Sequence, residues 1–134
     1  MAYAFSGKWI TMPAFADTKP VNVFHRQTEE PELHNEMPKN QHMLFRKHFT
    51  VQKGGNVKLY ITADDYKLYI GGKFVTQGPA PGYPFHYYYN EIDISDFVQP
   101  GENTLAVHVY YQGLKNRAWV SADDRNGLIF DVVQ

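Results

Sequence analysis

The residues whose types suit chemistry cluster between Leu59 and Ile94, in LYITADDYKLYIGGKFVTQGPAPGYPFHYYYNEIDI. Asp64 and Asp65 are adjacent carboxylates. Glycoside hydrolysis needs two carboxyl groups at a set separation, one acting as acid and the other as base or nucleophile. Neighbours in a turn that keeps strand alternation point apart, so this pair reads first as aspartates satisfying the N–H groups of their own turn. The aromatic set is the better ligand candidate. A sugar site joins a stacking ring to a few convergent polar groups, and Tyr66, Tyr83, Asp64, Asp65, Arg117 and Trp119 can supply both. The same residues suit a domain interface equally well, since exposed aromatics and arginine also mark protein contacts. In FHYYYN, alternation puts Tyr87 and Tyr89 on one face and His86, Tyr88 and Asn90 on the other.

Other chemistries find little support. The six histidines, His25, His34, His42, His48, His86 and His108, form neither H-x-H nor H-E-x-x-H. No metal site or cofactor is expected, with calcium at the Asp64-Asp65 or Asp123-Asp124 turns as the weaker alternative. Ser6, Ser95 and Ser121 sit in no G-x-S-x-G context, and IGGKF lacks a phosphate-binding pattern. Cysteine is absent, which removes thiol nucleophiles and thiolate ligands. A net charge of −1 with singly spread basic residues gives no drive toward nucleic acid or an anionic membrane.

The elements that must carry these residues are strands. The chain has 134 residues, 43% hydrophobic and 20% charged, which suits one globular domain. Phe45, Lys47, Phe49 and Val51 share one side of the first strand. Leu59, Ile61 and Ala63 share a face of the next, and Asp64-Asp65 reverse the chain into a hairpin with Tyr66, Leu68 and Ile70. Gly71-Gly72 closes a second hairpin, because both positions tolerate positive φ. The Gly78–Pro84 stretch excludes regular pairing, and FHYYYNEIDI follows as a strand. Ser95 is expected to cap one helical turn. Leu105, Val107, Val109 and Tyr111 alternate, then RAWVSA and LIFDVV complete the set. Residues 13–41, with four prolines, read as a long extended surface excursion. Counting reversals, Asp64-Asp65, Gly78–Pro84, Gln112–Asn116 and the chain end after Val133 fall at one end. Lys53–Asn56, Gly71-Gly72, Ser95–Asn103 and Asp124–Gly127 fall at the other.

The stretch from Leu59 to about Gly113 resembles the N-terminal β-sandwich of bacterial α-L-rhamnosidases. Gly72-Lys73-Phe74-Val75, Asp93-Ile94-Ser95 and Gly101-Glu102-Asn103-Thr104-Leu105-Ala106-Val107 carry a signature shared by jelly-roll domains of multidomain glycoside hydrolases. The chain departs from it at Gly71, where Asn is usual; both residues tolerate the left-handed turn. The expected fold is all-β, a jelly-roll or galactose-binding-like sandwich of about eight or nine antiparallel strands. The resemblance implies a piece of a larger enzyme whose hydrolytic residues lie in a separate helical-barrel domain. The chain alone is then a non-catalytic accessory domain, partnered by the catalytic domain of the same parent. The alternative is an autonomous binding module for rhamnose-containing glycans. Neither a signal peptide nor a run of about 18 apolar residues is found, so the expectation is a cytoplasmic protein without a membrane span.

Overall fold

The computed structural model describes residues 2–19, 39–80, 82, 86–113 and 125–134. Seven strands form among them: β1 (Gln41–Val51), β2 (Lys58–Ala63), β3 (Tyr66–Ile70), β4 (Lys73–Gly78), β5 (Asn90–Asp93), β6 (Gly101–Tyr111) and β7 (Leu128–Val133). All pair antiparallel, in a four-stranded sheet of order β1-β6-β3-β4 and a three-stranded sheet of order β5-β2-β7. The all-β sandwich expected from the sequence is the fold. The described strands number seven rather than eight or nine. One reason is that His86 makes an isolated bridge and residues 87–89 belong to no strand, so the expected strand FHYYYNEIDI shortens to Asn90–Asp93. RAWVSA and most of the 13–41 excursion lie outside the described residues.

Period-two burial builds the core. Leu59, Ile61 and Ala63 of β2 face Tyr66, Leu68 and Ile70 of β3 and Leu105, Val107 and Val109 of β6, each at most 5% exposed. The register aligns these rows: Ile70 lies opposite Leu105, Leu68 opposite Val107 and Tyr66 opposite Val109. Each such aliphatic side chain contributes roughly 1.5–3 kcal/mol on burial. Gly71 and Gly72 adopt φ of 55° and 80°, the double left-handed turn that lets β4 fold back on β3.

Three expectations are corrected. Asp64-Asp65 do reverse the chain, but β2 and β3 do not pair; the reversal carries the chain from the three-stranded sheet to the four-stranded one. Both segments need their apolar rows in one interior, and crossing between layers satisfies both. The chain end also moves. β6 finishes and β7 begins at the Asp64-Asp65 end, since Tyr66 pairs with Val109 and Ala63 with Leu128. Asn126 and Gly127 therefore sit at that end. Gln134 lies at the opposite one, where its side chain donates to the carbonyls of Gln52 and Gly54. The reversal count assumed one further crossing between Gln112 and Leu128. Finally, Ser95 is the first residue of a short 3-10 turn, Ser95–Phe97, and not its cap. Its backbone N–H and hydroxyl both donate to Asp93, and its hydroxyl oxygen accepts from the Val57 N–H.

Among the described residues β1 is an edge strand, eleven residues long. Its core-facing phase, Met43, Phe45, Phe49 and Val51, is interrupted by exposed Lys47 opposite Leu105. An inward-phase charge on an edge discourages pairing with another chain. Lys47→Val is expected to keep the fold and raise the tendency to aggregate, read by light scattering during storage at elevated temperature. A variant as soluble as the parent would contradict this role.

Candidate functional site

The outer face of the three-stranded sheet is not bare. Tyr60 lies opposite Asp131 and Thr62 opposite Ile129 on that face. The N-terminal segment, residues 2–10, runs across it. Asp131 anchors the segment by accepting from Ser6 N–H at 2.7 Å, Gly7 N–H at 2.9 Å and the Tyr3 hydroxyl at 2.9 Å. Burial pushes the Asp131 carboxyl upward, but the hydrogen bonds from Ser6, Tyr3 and Gly7 outweigh it and hold the group below the usual carboxylate range. Burial, then the neighbouring carboxylate, push the Tyr3 hydroxyl up to about 12. The Tyr3 ring stacks on Tyr60 with centroids 3.7 Å apart, and Phe5 packs edge-on against Tyr89. Ile10 and Leu128 exchange two backbone hydrogen bonds of 2.9 Å, so the segment ends as a short extension of the sheet.

Beyond Ile10, at the Asp64-Asp65 end, a groove of about 370 Å³ opens. Trp9, Tyr87 and Tyr88 line it with Thr62, Asp64 and Asn126. Trp9 is 51% and Tyr88 44% exposed, so the groove presents aromatic surface to solvent. Asn126 is 6% exposed; its side-chain nitrogen contacts the Met43 sulfur at 3.8 Å, and its carbonyl oxygen takes no hydrogen bond among the described residues. An adjoining cleft continues along Phe5, Trp9 and Tyr87–Tyr89.

The sequence candidates divide across the fold. Asp64 lines this groove, whereas Asp65 lies in a separate hollow with His42, Lys67, His108 and Tyr110. Burial pushes the Asp65 carboxyl up, partly opposed by the Tyr66 N–H and the charges of Lys67 and His108. The two carboxylates thus serve different places. Tyr66 is a core residue, 1% exposed, its hydroxyl donating to Asn90 Oδ1 at 2.7 Å. Burial drives that hydroxyl well above the ordinary tyrosine range. Tyr83, Arg117 and Trp119 lie outside the described residues. Residue-by-residue reading missed Trp9, Asn126 and Asp131. Trp9 stands in SGKWI, where nothing local announces a groove, and Asp131 looks like any polar residue of an alternating strand.

Glycoside hydrolysis places two carboxyl groups about 5–5.5 Å apart for retention or 6.5–9.5 Å for inversion. Among the described residues the groove holds one carboxylate, Asp64. What it offers is stacking surface and single hydrogen-bonding groups.

The same architecture recurs within part of much longer rhamnosidase chains. The chain is similar to part of a GH78 family rhamnosidase of Bacillus sp. GL1, with 34% identity and a TM-score of 0.66, over 72% of this chain and 10% of that one. It is also similar to an α-L-rhamnosidase of Aspergillus terreus, at 26% identity and a TM-score of 0.56, over 71% of this chain and 12% of that one. An α-L-rhamnosidase of Dictyoglumus thermophilum gives 26% identity and a TM-score of 0.55, over 66% and 10%. The chain therefore spans about a tenth of the length of the rhamnosidases it matches. The resemblance read from Leu59–Gly113 recurs at the level of the fold. No protein-family model and no curated protein matches the sequence.

A β-carbon added at Gly7 would lie 2.9 Å from the Phe130 carbonyl oxygen and 3.0 Å from Asp131 Oδ1. Gly7→Ala is thus expected to lift the segment from the sheet, seen as faster amide exchange at Ser6 and Ile10. Asp131→Asn keeps the shape but loses the charged acceptor, at a cost of about 1–3 kcal/mol by denaturant unfolding at neutral pH. Because the native pKa is depressed, Asp131 stabilises fully above the ordinary carboxylate value of 3.8, and this is lost as pH falls through the native value. The gap between parent and variant should close over that acid range and be constant above it.

Proposed function

We propose that the chain is a non-catalytic accessory β-sandwich of an α-L-rhamnosidase-like glycoside hydrolase. It braces the catalytic domain of the same parent and shapes the approach of substrate at the Asp64-Asp65 end. The observation that carries this reading is a groove with aromatic walls and, among the described residues, one carboxylate, on a chain matching about a tenth of each rhamnosidase. Fold similarity by itself gives no activity, and a single carboxylate among the described groove residues supports the non-catalytic reading. The purified chain is expected to release no product from an aryl α-L-rhamnoside. Turnover that disappears in Asp64→Asn would overturn the proposal.

A second reading, a module binding rhamnose-containing glycans, is favoured by the exposure of Trp9 and Tyr88 beside the Asn126 carbonyl, which takes no hydrogen bond among the described residues. Rings of this kind stack on sugar faces while a few polar groups orient the ligand. Isothermal titration with L-rhamnose and its oligosaccharides, with calcium and with chelator, separates the two readings. Saturable heat lost in Trp9→Ala establishes the binding module. Absence of heat at millimolar sugar leaves the bracing role.

A further inference from the structure

On the opposite side of the sandwich, β1 and β6 bring together two histidines 66 residues apart. The register sets His42 opposite Tyr110 and Leu44 opposite His108, so the two imidazoles are diagonal neighbours on the outer face of the four-stranded sheet. His42 Nδ1 and His108 Nε2 stand 2.8 Å apart. Their neighbours hold them in place. The His42 ring lies on Tyr110, centroids 4.8 Å apart and planes 24° from parallel. Tyr110 in turn donates through its hydroxyl to Asn40 Oδ1 at 2.7 Å and through its N–H to the Asp65 carbonyl at 2.8 Å.

We propose that His42 and His108 form a chelating site for a first-row transition-metal ion of the Zn²⁺, Ni²⁺ or Cu²⁺ class. Without metal, one facing nitrogen donates its proton to the lone pair of the other. With metal, both facing nitrogens give lone pairs to the ion, and the donor ring carries its proton on the distal nitrogen instead. No net proton is lost. Metal–imidazole bonds of about 2.0–2.1 Å at a tetrahedral angle put the two nitrogens about 3.3 Å apart. The rings therefore need only a small separation from their present 2.8 Å.

Imidazole pairs suit these ions, whereas the all-oxygen preference of calcium and magnesium excludes them here. The same hollow is lined by Asp65, Lys67 and Gln77. Asp65 brings a negative charge, and Lys67 opposes it. No group of three or more metal-ligating side chains stands ready among the described residues, so the site is an open two-nitrogen chelate completed by water. Affinity should follow the general order in which Cu²⁺ binds most tightly. A bound ion would clip the long edge strand β1 to β6 and raise the stability of the folded chain by mass action.

The test is titration of the 134-residue chain at neutral pH with copper, nickel and zinc chlorides, followed by calorimetry and by the imidazole proton signals. One ion per chain is expected, with the His42 and His108 signals moving first and together. His42→Ala and His108→Ala should each weaken binding by at least the roughly tenfold that losing even a supporting partner costs. His48→Ala and His86→Ala should bind as the parent does. His108→Gln, similar in bulk and polar, serves should the alanine variant fold poorly, and must lose binding equally. Saturation untouched by these substitutions, other histidines responding first, or no stoichiometric binding would each mean an adventitious ion only and overturn the assignment.

Discussion

Two residues separate β2 from β3, and that short link governs the molecule. Each strand carries an apolar row that must be buried, and neither pairs with the other. The chain must cross from one sheet to its partner within Asp64-Asp65. The crossing holds the sheets together at one end and sets Leu59, Ile61 and Ala63 against Tyr66, Leu68 and Ile70. It also splits the aspartates. Successive residues leave a tight crossing in opposite directions, so Asp64 meets the groove beside Trp9 and Asp65 meets the histidines of the other face. A pair that looks like acid–base chemistry in one dimension is thereby divided between two surfaces.

The two outer faces are finished differently. On the three-stranded sheet, the N-terminal segment covers Tyr60 and Thr62, and one carboxylate gathers three donors from it. A charge accepting several hydrogen bonds compensates its own desolvation, which is how Asp131 can be 8% exposed and ionised. On the four-stranded sheet, Leu44 is 82% and Phe74 53% exposed at the two edges, with Lys67, Tyr69, His108 and Tyr110 in the same outward phase between them. Among the described residues, a covering segment lies on the three-stranded side alone, and a groove opens at the end where that segment meets the loops.

That groove joins aromatic surface to a few polar groups. Its aromatic walls are fixed by the covering segment on one side, through Trp9, and by residues 87–88 on the other. It lies where the reversal between sheets and the loop after β4 converge, the part of a sandwich freest to vary without disturbing the core.

Much of the scaffold was legible in the sequence because burial with period two is a local property. The alternation at Leu59–Ala63, Tyr66–Ile70 and Leu105–Tyr111 identified the core rows residue by residue, and the Gly71-Gly72 turn followed from its own backbone freedom. The jelly-roll resemblance over Leu59–Gly113 rested on the same segments. Sheet membership was not legible: alternation says which face is buried, not which strand lies alongside, so Asp64-Asp65 read as a hairpin and the chain end was placed at the wrong pole. The partners of Asp131, between 124 and 128 residues away, and the meeting of His42 with His108 depend on strand register across the whole chain. The sequence by itself determined that the chain is a β-sandwich and which side chains fill it. Only the tertiary structure decided which polar and aromatic residues share a surface, because long-range register places residues that no local pattern connects.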